Sequence, residues 1–219
     1  MVGSFFIRQK MIGLNPMKTL VVIDGNSMLH RAYHALPPMM TRAGVLTNAA
    51  YGFTTILFKM LNDVKPDAVA VAFDMRGGTF RNELYKEYKA TREKKPQELY
   101  DQILFIKKIL DAMNIPWCEQ EGFEADDIIG TFATTVSHEK DWQVIIATGD
   151  MDALQLVDEK IKVYTLRKGI TDVVVYDEAE VKARFGLSVA QLIDYKALRG
   201  DTSDNIKGVP GIGEKTATD

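Results

Sequence analysis

Short β-branched apolar runs, separated by longer stretches of helical periodicity, set the pattern of this chain. Lys18–Ile23 (KTLVVI), Ala68–Phe73 (AVAVAF) and Gln143–Ala147 (QVIIA) are almost continuously apolar, as strands covered on both faces are. Leu99, Ile103, Ile106, Leu110 and Met113 recur at spacings of 4, 3, 4 and 3 between Pro96 and Pro116, which predicts an amphipathic helix with one apolar stripe. Strands that alternate with helices imply an α/β fold around a parallel sheet. Further on, Ile161–Tyr164 and Val173–Tyr176 read as a strand pair about Lys168-Gly169, and 177–185 and 189–198 as two helices. From Gly200 the chain turns glycine-rich and polar.

Composition narrows the class. With 219 residues, 46% apolar and 26% charged, the chain can bury a core and is neither disordered nor collagenous. Its longest apolar runs fall far short of the roughly 20 residues that a membrane span needs, so no membrane partner is expected. The lone Cys118 excludes an internal disulfide and a CxxC site, which fits a reducing, cytoplasmic setting. The first sixteen residues lack a secretory pattern and read as an extension ahead of Met17. Net charge is −3, yet seven basic residues (Arg76, Arg81, Lys86, Lys89, Arg92, Lys94, Lys95) face three acidic ones between positions 76 and 95. Alone, such a run is most simply a solvated face.

The acids change that picture. Asp24, Asp74 and Asp150 each stand at or just beyond the end of one of the three strand runs, which a parallel sheet gathers on its carboxyl edge. In FEADDIIGTFA, Glu124 and Asp127 share a helix face at i, i+3 with Asp126 beside them, while Ile128, Phe132 and Val136 would face the core. Asp152 follows Asp150 by two, and Asp201 and Asp204 repeat the i, i+3 spacing. Any one of these acids could be only a helix cap; nine of them suggest a shared pocket. Oxygen donors without Cys or His suit a hard ion, Mg²⁺ or Mn²⁺, and two such ions are the arrangement used in phosphodiester cleavage.

Other motifs compete. His30 and His34 form HxxxH, but without the zincin glutamate or a third ligand. Gly208–Thr216 looks like a phosphate-binding loop, but Glu214 interrupts it and no strand precedes it. Asp150-Met-Asp152 matches the DxD of aspartyl-phosphate phosphohydrolases, leaving a small-molecule phosphohydrolase as an alternative enzyme. A DNA-end-binding fragment without activity is the alternative outside enzymes.

IDGNS, AFDMRGGTFRNELYKEYKATR, EGFEADDIIG, TGDMDALQL and LRGDTSDNIKGVPGIGEKTA, in that order, resemble the 5′ nuclease (flap endonuclease) family, most closely its branch of N-terminal 5′→3′ exonuclease domains from bacterial DNA polymerases I. The resemblance runs from Met17 to Ala217 and takes in all nine acids. It implies a PIN-like core over 17–185, with a helical arch at about 76–96, and over 186–219 the start of a truncated helix-three-turn-helix DNA-binding motif. It further implies that Asp24, Asp74, Glu124, Asp126, Asp127, Asp150, Asp152, Asp201 and Asp204 line a site for two or more Mg²⁺ ions, with Mn²⁺ able to substitute.

By the same resemblance Lys89 contacts the scissile phosphate, Arg92 is its companion, and Arg81 and Arg31 are further DNA contacts. Gly208, Gly211, Gly213 and Lys215 would meet duplex phosphates, with a monovalent cation at the glycine hairpin. The implied activity is Mg²⁺-dependent 5′→3′ exonuclease and 5′ flap endonuclease cleavage in replication and repair. The implied substrates are DNA flaps, nicks and 5′ ends, and RNA primers. A monomer in the bacterial cytoplasm at the nucleoid, with a polymerase module in cis or in trans, completes the expectation.

Overall fold

The structure, a computed structural model, describes residues 17–92 and 95–219; the expected N-terminal extension and Lys94 lie outside them. A six-stranded sheet forms the centre. Its strands are β1 (Lys18–Asp24), β2 (Ala68–Ala72), β3 (Trp117–Cys118), β4 (Trp142–Ala147), β5 (Ile161–Lys168) and β6 (Asp172–Tyr176), in the order β3-β2-β1-β4-β5-β6. The first five are parallel and β6 returns antiparallel to β5. β1 is the middle of the fold: Asp24 lies opposite Ala72 of β2, and Ile23 opposite Ala147 of β4. The carboxyl ends of these three strands therefore meet on one edge, as the acids after them require.

Period-two alternation sends each strand's side chains to opposite layers. Val21, Ile23 and Val71 join α1 (Gly25–Ala35), α2 (Asn48–Val64) and α4 (Gln97–Ala112) in one core, with Phe53, Leu57, Leu99, Ile106 and Leu110 fully buried. Leu20, Val22, Val144 and Ile146 join α5 (Ala125–Ser137), a 3₁₀ helix at Met151–Leu156, α6 (Glu178–Phe185) and α7 (Gln191–Arg199) in the other. On α5 the buried face is Ala125, Ile129 and Ala133, whereas Ile128, Phe132 and Val136 flank it half-buried. Ile129 fills the centre of that face between the two alanines, and the expected Ile128, Phe132 and Val136 pack along the edge of the same core.

Within the expected arch the described residues hold one short helix, α3 (Phe80–Leu84), followed by turns through 86–91. Beyond α7, the two-residue strands β7 (Gly200–Asp201) and β8 (Ile206–Lys207) pair antiparallel around the acidic loop, and α8 (Glu214–Thr218) follows. Here the backbones cross closely: a Cβ on Gly208 would sit 2.2 Å from the Arg199 carbonyl carbon. Gly208 thus serves internal packing, while Gly211 and Gly213 meet open space and Lys215 is exposed on α8.

Candidate active site

Asp24 ends β1 and caps α1: its Oδ1 accepts the Ser27 amide at 2.8 Å and its Oδ2 the Thr148 hydroxyl at 2.8 Å. Asp150 caps the 3₁₀ helix by accepting the Asp152 amide at 2.9 Å. Asp74 accepts the Ala125 amide at 2.7 Å, bringing the N-terminus of α5 and its partial positive charge toward the acids. Capping and site-building are therefore one arrangement. Among the described residues, Asp74 and Asp150 each spend one carboxylate oxygen on a cap and keep the other unpaired.

These three acids, with Glu124 and Asp126, line one cavity of about 340 Å³, which His30, Lys89 and Arg92 also face. The acids perturb each other. Burial first, then repulsion from Asp74 and Asp150, push Asp24 up to about 6, against the bonds from Ser27 and Thr148. Asp126 stays solvent-accessible as a residue, yet loss of water around its carboxylate, with the charges of Asp24, Asp150 and Asp74, pushes it up to about 7. Burial and the nearby cations Lys95 and Arg92, with His34, lower His30 to about 4, which keeps its imidazole neutral at physiological pH.

The remaining expected acids lie elsewhere. Asp127 pairs bidentately with Arg81 at 2.7 and 2.8 Å and accepts the Glu124 amide at 2.9 Å; the Arg81 bonds hold its carboxyl below the usual range. Asp152 and Asp201 share Lys196. Although burial acts the other way, Lys196 and Ser203 hold Asp201 below the carboxylate range. Asp204 is bound by Arg92. Arg31 turns from the cavity and donates through Nε to the Gly169 carbonyl at 2.9 Å. The Arg81–Asp127 pair carries a stability prediction: Arg81→Ala should cost about 1–2 kcal/mol, read as a lower urea midpoint.

Three neutral residues absent from the sequence reading hold the site together. Thr148, buried, bonds Asp24 and accepts the Asp150 amide at 3.0 Å. Ser27 Oγ accepts the Gly149 amide at 2.8 Å and Asn26 Oδ1 the Asp74 amide at 3.2 Å. The only signal for them was their position inside IDGNS and TGDMD.

No three His, Cys, Asp or Glu side chains among the described residues are grouped so as to hold a metal ion. Lys89 Nζ lies 2.8 Å from Glu124 instead. By donor chemistry the cavity nevertheless suits a hard divalent ion: five carboxylates, no thiol, and two acids whose pKa values are raised by burial and, to a lesser extent, by their mutual repulsion.

The family described as "5'-3' exonuclease, N-terminal resolvase-like domain" matches residues 19–186. The chain belongs to the 5′-3′ exonuclease family. That family's C-terminal SAM fold matches residues 187–219. Among curated relatives of this 5′-3′ exonuclease chain, DNA polymerase I of Bacillus subtilis is 53% identical over 201 residues, covering 91% of this chain and 23% of that protein. The chain thus spans about a quarter of its relative's length. In fold the chain is similar to the bacteriophage T5 flap endonuclease in complex with DNA and metal ions (TM-score 0.72, 24% identity, 92% of this chain and 73% of that one). It is also similar to flap endonuclease-1 from Methanococcus jannaschii (TM-score 0.54, 19% identity, 93% and 70%). The mostly parallel sheet is the fold that these neighbours share. No helix among the described residues is long and apolar enough to cross a membrane.

Proposed function

We propose that the chain is a Mg²⁺-dependent, structure-selective nuclease that hydrolyses DNA at 5′ flaps, nicks and 5′ ends. The observation that carries this reading is one cavity lined both by acids suited to cations and by Lys89 and Arg92, suited to a phosphate. Family membership and metal- and DNA-bound neighbours support it. Asp24, Asp74, Glu124, Asp126 and Asp150 would hold the ions, two or more, with Mn²⁺ as a substitute and Asp152, Asp201 and Asp204 at the margin. Bound there, divalent ions would supply Lewis acidity to the scissile phosphate and to the attacking water.

The protein's own part is orientation and charge. Thr148 and Ser27 fix Asp24 relative to the β4 end, so the acid does not reorganise during reaction. Lys89 would leave Glu124 to donate to a phosphate oxygen as its negative charge grows, and Arg92 would follow from Asp204. Gly211, Gly213 and Lys215 lie open to take duplex phosphates, which positions DNA without reading its sequence. In the cell this activity would remove primers and trim flaps beside a polymerase module, at the DNA in the bacterial cytoplasm.

A labelled 5′ flap substrate tests the reading. Cleavage is expected with Mg²⁺ and none in EDTA; robust cleavage in EDTA would sink it. Asp24→Asn and Asp150→Asn should both abolish cleavage, whereas a phosphohydrolase built on Asp150 alone would tolerate the first. Ca²⁺ should bind, measured calorimetrically, without supporting turnover, because its larger, laxer coordination misplaces the reacting groups.

A further inference from the structure

Segment 85–92, which carries Lys89 and Arg92, is stitched to loop 203–205 of the second family region. Lys89 N–H donates to the Asp204 carbonyl at 3.0 Å. Arg92 donates through Nε to the Ser203 carbonyl at 3.1 Å and through Nη2 to Asp204. The Tyr88 hydroxyl stands 3.1 Å from Glu124 and 3.2 Å from Asp204. Asn205 holds the start of the segment: its Nδ2 donates to the Glu87 carbonyl at 2.8 Å, and the Tyr85 hydroxyl is shared between the Asn205 carbonyl at 3.3 Å and the Glu87 carboxylate at 3.2 Å.

Two backbones in the seam are unusual. Lys89 and Asn205 are both left-handed, at φ +56° and +58°, a conformation that a lysine holds only where its surroundings impose it. Asn tolerates it more readily, because its short amide can bond locally. The turn at Lys89 is what aims Nζ at the cavity, and the bonds from loop 203–205 hold that turn.

We propose that Asn205 is a positioning residue for Lys89. It touches none of the cavity acids in a way that would ligate a cation and does not line the cavity. It acts by fixing the Glu87 carbonyl two residues before the turn at Lys89, beside the bond by which the neighbouring Asp204 carbonyl holds the Lys89 N–H. The second family region thus sets the geometry of a phosphate-facing lysine that the first region carries. This rests on the reading of Lys89 as a phosphate contact.

The test uses the 219-residue chain in two arms. Asn205→Gly keeps the left-handed backbone and removes only the amide; Tyr85→Phe is the second variant, and thermal melting confirms that each folds. In the first arm, trypsin digests the metal-free proteins and cutting after Lys89 is followed by mass spectrometry. Cutting is expected about fivefold faster in both variants, the loss of one hydrogen bond; wild-type kinetics overturn the proposal. In the second, single-turnover flap cleavage is compared for Lys89→Ala, Asn205→Gly and the double variant. Asn205→Gly should slow cleavage on the order of 10- to 100-fold, at unchanged Mg²⁺ affinity, and add nothing once Lys89 is alanine. Independent, multiplying losses overturn it. A wild type that cuts no flap defeats the functional reading instead, and the trypsin arm alone then decides whether Asn205 seats the segment.

Discussion

Lys89→Ala is expected to lower the single-turnover cleavage rate by about 10²- to 10³-fold while changing flap affinity little. The lysine sits half-buried on the wall of the acid cavity, 2.8 Å from Glu124, within reach of a phosphate bound there once it leaves that carboxylate. A preorganised donor of this kind acts on the transition state more than on the bound substrate, and removing one costs about that factor elsewhere. Single-turnover rates paired with equilibrium flap binding separate the two effects. An equal loss in both would make Lys89 an ordinary backbone contact, and wild-type values in both would return the basic segment to a solvated face.

Asp24→Asn should move activity and stability in opposite directions. Flap cleavage falls to background, because one of the cation-facing acids is gone. The metal-free protein, however, becomes more stable near neutral pH, by a gain on the order of 2 kcal/mol. The sign follows from the raised pKa of Asp24, about 6 against an ordinary 3.8. Between those values the folded state keeps a proton that the unfolded state releases, so its contribution is present at low pH and lost as pH rises through about 6. Asparagine has no such loss and can still cap α1 at Ser27. The variant's advantage in urea should therefore grow from about pH 4 to pH 7 and shrink when Mg²⁺ is added to wild type. A melting point below wild type across that whole range would mean that Asp24 matters chiefly as a cap.

The sheet and the acids of its carboxyl edge were legible because both leave local marks: continuous apolar runs, and an acid at the end of each. Asp24, Asp74 and Asp150 converge as their positions after β1, β2 and β4 require. The partners of the other acids were not legible. Nothing near Asp127 announces Arg81, forty-six residues away, and Asp204 meets Arg92 across one hundred and twelve. Such pairings belong to tertiary packing and have no period. The face of α5 was legible in part: Ile128, Phe132 and Val136 do pack against the core, but its deepest positions are Ala125, Ile129 and Ala133. Thr148 stayed hidden because a hydroxyl gives no pattern; its role appears only once β1 and β4 are adjacent.

The cavity acids arrive from four stretches of chain, at residues 24, 74, 124–126 and 150, and meet only across the β2-β1-β4 pairing. The full set of acids assembles only when β1 is flanked by both β2 and β4. Formation of the site therefore waits for long-range strand pairing, which is slow because loop-closure entropy must be overcome before those contacts form. For a domain that unfolds in one cooperative step, loss of cleavage along a denaturant gradient, measured after rapid dilution into assay, should track loss of β1 itself. Activity then becomes a gauge of whether the whole sheet is closed.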